Sequence, residues 1–159
     1  MKKNYISLAK KSADIQINEL KKVKKIFSNS FVKAIDLILN CRGKVIFAGI
    51  GKSGLIARKI SATFSSVGIP SFFCDPAQAL HGDMGQIEKK DLLIIFSYSG
   101  NTSELTNMLK YANRYRIKII GVASKPDSVL LKASDVKLIL PSVKESDVTG
   151  MVPTSSTSI

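Results

Sequence analysis

From residue 5 to residue 40 the chain contains neither glycine nor proline, and its apolar positions recur at helical spacing. Ala9, Ala13, Ile17, Leu20, Val23 and Phe27 form one run; Phe31, Ile35 and Ile38 continue it. Two helices are predicted here, broken near Ser28-Asn29-Ser30. The period then changes to short runs rich in β-branched and aromatic residues: 45–48, 71–74, 92–96, 119–122 and 136–140. The third and fourth are apolar on both faces, as parallel strands covered on both sides are. Helical patterns lie between them, notably over 53–66 and 102–114. This alternation predicts an α/β fold, a three-layer sandwich around a five-stranded parallel sheet with right-handed crossovers. Residues 1–40 are expected as a helical segment packing on a domain formed by 41–159. No internal repeat or low-complexity linker divides the chain.

A sheet of this kind puts its binding crevice outside the carboxyl ends of its strands. The segments that follow the strands are "GIGKSG", "DPAQALHGD", "SYSGNTSE", "SKPDS" and "SVKESD". The polar chemistry collects there.

"AGIGKSGL" follows the first strand and opens a helix. Gly49, Gly51 and Gly54 satisfy G-x-G-x-x-G, and Asp75 ends the second strand about twenty residues on, which is the dinucleotide-binding fingerprint in context. A tight turn in which glycines let strand meet helix explains the same residues. A P-loop is excluded: the glycine it requires five positions before Gly51 is Ile46.

The run after the third strand is more telling. Ser97, Ser99, Gly100 and Thr102 lead into a helix predicted to begin at 102. Free N–H groups and the positive end of the helix dipole make such a start an anion site. Three hydroxyls add donors around one phosphate, where a simple cap needs a single one. A dinucleotide fold has no use for this second cradle. Glu104 sits in the first turn, where its charge also suits the dipole.

In this order, "GIGKSG", "ALHGDMG", "SYSGNTSE" and "MVPTSSTS" resemble the sugar isomerase (SIS) domain, and within it the arabinose-5-phosphate isomerases, which interconvert D-ribulose 5-phosphate and D-arabinose 5-phosphate. The resemblance runs along nearly the whole chain. It implies that Gly51, Ser53, Ser97, Ser99, Gly100 and Thr102 hold the phosphate of a pentose 5-phosphate, and that Lys52, His81, Glu104 and Glu145 are catalytic. Aldose–ketose isomerisation needs a carboxylate base beside the carbon and a donor for the growing oxyanion. Glu104 or Glu145 is expected as that base, Lys52 as the electrostatic partner and His81 as an acid/base. The reaction needs no cofactor. The resemblance also implies no metal, since Asp75 stands where some relatives carry a metal-associated histidine. It implies a homo-oligomer, commonly a tetramer, and a place in making the eight-carbon acid sugar of lipopolysaccharide or capsule.

In that family "PTSSTS" opens a long helix followed by a further histidine and paired CBS modules. This chain reaches Ile159 just after the motif, so the expectation is a SIS domain shortened at its C-terminal end, with apolar surface left uncovered. A non-catalytic sugar-phosphate-binding module is the alternative to an enzyme.

Composition narrows the picture further. A chain of 159 residues, 45% hydrophobic and 23% charged, fits one globular domain. The net charge of +12 is high, and eight of the 24 basic residues fall between Lys2 and Lys25. Such a segment attracts nucleic acid or acidic membrane, or is the wet face of a helix. No aromatic residues interleave with the lysines, which favours the wet face, so neither partner is expected. Cys41 and Cys74 have no metal-like spacing and are read as reduced thiols. With no signal-peptide core and no long apolar stretch, a cytoplasmic protein is expected.

Overall fold

All five apolar runs form strands in the computed structural model, which describes residues 4–79, 81–147 and 149–159. Lys2 and Lys3 of the basic segment and Leu80 of the "ALHGD" stretch lie outside the described residues. Strands β1 (Val45–Gly49), β2 (Ser71–Cys74), β3 (Leu92–Phe96), β4 (Lys118–Ala123) and β5 (Val136–Ile139) are all parallel, in the order β2-β1-β3-β4-β5. Successive side chains of β3 feed opposite layers. Leu92 and Ile94 pack with Ala34, Ala57 and Phe64, while Leu93 and Ile95 pack with Leu105, Met108 and Leu130. A strand wetted on neither face has no polar positions to alternate, which is why 92–96 reads as an unbroken apolar run. Helices α2 (Asn29–Leu39) and α3 (Gly51–Ser66) cover one face; α4 (Pro76–Ala79), α5 (Leu105–Tyr115) and α6 (Val129–Ala133) cover the other.

Two helix limits differ from the sequence expectation. Helix α3 starts at Gly51 rather than at 53. Helix α5 starts at Leu105, because the N–H of Leu105 donates to Thr102 O (3.2 Å) and that of Thr106 to Ser103 O (3.0 Å). These three-residue bonds make 102–104 a tight turn ahead of the helix. The first helix, α1 (Tyr5–Lys21), tightens into a 3-10 stretch over Lys22–Ile26 before α2 begins. Phe27 (ψ 77°) and the extended Ser28 turn the chain. Edge-to-face contact of Phe27 with Phe31, centroids 4.9 Å apart, braces the corner.

Helix α1 is turned inside out for a surface helix. Its inward residues are polar but for half-buried Ile15: Ser12 Oγ donates to Ser146 Oγ (2.9 Å), Gln16 Nε2 to the same atom (3.2 Å), and buried Glu19 pairs with Lys22. Ile6, Ile17 and Leu20 face outward, 71%, 54% and 49% exposed. Next to it, an apolar trough lies over the sheet between α2 and α3, lined by Phe27, Phe31, Ile35, Phe64, Leu138 and Leu140.

At the opposite end of the strands from the site, Asp91 (3% exposed) ties β1 to β3. Its carboxylate accepts the N–H of Lys44 (2.7 Å) and of Glu88 (2.8 Å) and faces Lys44 Nζ at 3.2 Å. Gly43 is required beside it, since a Cβ there would lie 2.1 Å from Oδ1. Asp91→Ala strands these donors in a dry place and is expected to cost about 2–4 kcal/mol, read as a lower urea midpoint at unchanged slope.

Candidate active site

The strand order reverses between β1 and β3, so the loops after these two strands leave toward opposite faces and open a crevice between them. Both loops are the ones rich in glycine and hydroxyls.

After β1, the glycines are there for packing and backbone shape. A Cβ on Gly54 would lie 2.6 Å from Gly49 O, so only glycine lets α3 begin against the strand. Gly51 takes φ +58°, a left-handed conformation that other residues resist. The first N–H groups of α3, from Gly51 to Ser53, have no acceptor within the helix, and Lys52 and Ser53 line the crevice. The dinucleotide alternative loses its acidic partner here. Asp75 accepts the N–H of Ala77 (2.9 Å), which caps α4. The order β2-β1-β3-β4-β5 is also not the 3-2-1-4-5 order of the dinucleotide fold.

After β3, the hydroxyls first of all hold the loop. Ser97 Oγ accepts the N–H of Gly100 (3.1 Å) and pairs with Thr102 Oγ1 (2.8 Å); Ser99 Oγ accepts the N–H of Asn101 (3.3 Å). None of them caps α5. Ser99, exposed, keeps its own proton to donate; half-buried Thr102 shares one with buried Ser97. Among the described residues nothing accepts the N–H of Ser99, Thr102 or Ser103. The left-handed Gly100 (φ +68°) is what lets these groups converge. Such a run of unpaired N–H groups is a nest for an anion.

Two adjoining cavities occupy the crevice. Ser53 and Ser97 line the deeper one; Lys52 and Glu145 line the outer one; Ser53, Tyr98, Ser156 and Thr157 belong to both. The outer cleft has a volume of about 380 Å³, inside the range of about 300–1,000 Å³ usual for small-molecule sites. The structure thus brings Lys52, Ser53, Ser97 and Glu145 together. It leaves Glu104 and His81 exposed, and these two, with Gly51, Ser99, Gly100 and Thr102, line neither cavity. Tyr98, Ser156 and Thr157 are the residues that sequence reasoning did not place. An aromatic ring between two loop serines and the density of hydroxyls in "PTSSTS" were the available signals.

The two glutamates are differently held. Partial burial pushes the Glu145 carboxyl up, but hydrogen bonds from Ser156 and Thr154 outweigh it and hold it below the usual carboxylate value. Its Oε2 accepts Thr154 N–H (2.7 Å), Thr154 Oγ1–H (2.9 Å) and Ser156 N–H (3.3 Å). Exposed Glu104 is lowered by the Ser103 hydroxyl, 2.7 Å from its Oε2. His81 follows α4 in a turn where its N–H donates to Gln78 O (2.9 Å). That turn lies beside the β2 edge, where burial, Asp83 and Asp75 push the Cys74 thiol up to about 11. Among the described residues, no three His, Cys, Asp or Glu side chains gather as metal ligands would.

The SIS domain family matches residues 38–158. A probable arabinose 5-phosphate isomerase of Haemophilus influenzae is 37% identical over 96% of this chain and 45% of its own length. The arabinose 5-phosphate isomerase KpsF of Escherichia coli O6:H1 is 40% identical over 96% of this chain and 46% of its own. The chain therefore spans about half the length of the curated relatives it matches. Among solved structures, an Escherichia coli CFT073 protein in complex with arabinose 5-phosphate superposes with a TM-score of 0.88 at 35% identity, covering 99% of this chain and 84% of that one.

Proposed function

Because the chain belongs to the SIS domain family, we propose that it interconverts D-ribulose 5-phosphate and D-arabinose 5-phosphate in the crevice between β1 and β3. The observation that carries this reading is a cleft holding one carboxylate and one ammonium that shares Ser53 and Tyr98 with the cavity lined by Ser97, the first hydroxyl of the β3 loop. The phosphate sits on the N–H groups of the β3 loop and of the α3 start, with Ser53, Ser99 and whichever of the paired Ser97 and Thr102 keeps its proton free donating around it. Gly51 and Gly100 give the two loops their shape. The sugar then extends into the outer cleft toward Lys52 and Glu145.

Glu145 removes a proton from C1 of the ketose. The electron pair forms the C1–C2 double bond, and the C2 carbonyl oxygen takes the negative charge, which the Lys52 ammonium steadies. Return of the proton to C2, with the hydroxyl proton moving from O1 to O2, gives the aldose. Glu145 is preferred over Glu104 as base because it shares the cleft with Lys52. Glu104 and His81 have no part inside the cleft of a single chain. The step uses no cofactor and no metal.

The alternative reading, a module that binds the sugar phosphate without turnover, also has an observation behind it. Three donors occupy Oε2 of Glu145, which suits a strut as well as a base. A coupled assay of ribulose 5-phosphate conversion, run beside calorimetry, separates the two. Turnover is expected; micromolar binding without turnover would replace the enzyme by the module.

The proposal extends to a helical segment over 1–40, an SIS domain over 41–159 and a cytoplasmic site of action. No helix among the described residues is long and apolar enough to cross a membrane. It extends also to a homo-oligomer, which the outward Ile6, Ile17 and Leu20 of α1 support. Sedimentation equilibrium returning the monomer mass at every concentration would remove that part.

A further inference from the structure

Tyr98 lies between two phosphate-loop serines, yet its side chain leaves the loop. Its hydroxyl accepts the backbone N–H of Val143 at 3.2 Å, two residues before Glu145. Its own carbonyl accepts the N–H and the Oγ–H of Ser124, at 2.8 and 2.7 Å, so its backbone is fixed from the end of β4. The half-buried ring forms wall to both cavities.

The segment it reaches has left the sheet. The last sheet-type bond of that segment is Leu140 N–H to Ala123 O, 2.9 Å. Beyond Glu145 the chain is tied again, by Ser146 N–H to Thr154 Oγ1 at 2.8 Å and by Glu145 to the turn at 154–156. Tyr98 therefore joins the phosphate loop directly to the arm that carries the carboxylate. No feature of the phosphate grip requires a phenol there, since the ring alone would fill the wall.

We propose that Tyr98 is a positioning residue whose hydroxyl sets Glu145 against the sugar end of the cleft, so that the loop gripping the phosphate also aims the base. This rests on the reading of Glu145 as the base. A phenylalanine keeps the ring and its packing and removes only the acceptor for Val143.

In Tyr98→Phe, kcat is expected to fall about tenfold, the worth of one hydrogen bond, while KM and the affinity for inorganic phosphate stay within about twofold. Hydrogen–deuterium exchange over 141–147 is expected to quicken by about tenfold, and that of α5 to stay as it was. Unchanged exchange over 141–147 overturns the tie. Unchanged kcat in an active protein, or a rise in KM with kcat intact, overturns the positioning role. A wild-type chain without turnover removes the base assignment and with it the aiming; the exchange data then decide whether Tyr98 holds the arm at all.

Discussion

Gly100→Ala is expected to abolish measurable phosphate binding and to lower the melting temperature by about 6–12 °C. Two costs combine. A Cβ at this position would lie 2.2 Å from Ser128 Oγ and 2.4 Å from Ser128 Cβ, and Ser128 is buried at 2% exposure with its Oγ accepting the N–H of Leu131. The residue also holds φ +68°, which costs a side-chain-bearing residue roughly 1–2 kcal/mol. Adding a methyl group to a packed site costs about 1–3 kcal/mol more. A total of about 3 kcal/mol corresponds to that thermal shift for a chain of this size. Relief of the clash must move the loop, and with it the N–H groups that form the nest. Gly85→Ala is the control, because nothing lies within 4 Å of a Cβ there. Scanning calorimetry with and without inorganic phosphate reads both effects. Phosphate protection equal to wild type in Gly100→Ala would show that the anion is held elsewhere.

The second large effect concerns the carboxylate. Glu145→Gln keeps an oxygen that can accept from Thr154 and Ser156, so the arm is expected to stay folded while kcat falls by about 10²–10⁴-fold. Steady-state kinetics beside a thermal melt separates the two consequences. A variant that keeps kcat would transfer the proton abstraction to another group. The unsubstituted chain has a pH signature as well. The folded pKa of Glu145 is depressed, so the stability it contributes is present above the unfolded carboxyl value and is lost as pH falls through the folded one. The acid limb of its kcat profile is correspondingly expected below the ordinary carboxylate range, and Glu145→Gln erases that limb.

Much of this was legible from residue patterns, for reasons that differ by element. The run Leu92-Leu93-Ile94-Ile95-Phe96 is too short for a buried helix and stops at polar Ser97, so it reads as a strand dry on both faces with a hydroxyl loop after it. The resemblance placed the family correctly. The switch point between β1 and β3 was not legible, because strand order depends on long-range packing that no local spacing encodes. The start of α5 was misjudged by three residues, since Thr102 has the residue type of a cap but spends its hydroxyl on Ser97. Choosing between Glu104 and Glu145 was equally out of reach. Each sits among polar neighbours, and what separates them is that Glu145 alone lines the cleft that Lys52 also lines. The inverted polarity of α1 escaped for the same reason: Ile17 and Leu20 have helical spacing whichever way they face.

At neutral pH a thiol with a pKa of about 11 is ionised in on the order of one molecule in ten thousand. Cys74 is therefore almost inert to alkylating reagents while its edge strand stays docked. Its slow modification becomes a clock that ticks only when β2 peels away from β1, timing how often the wall beside the glycine loop breathes.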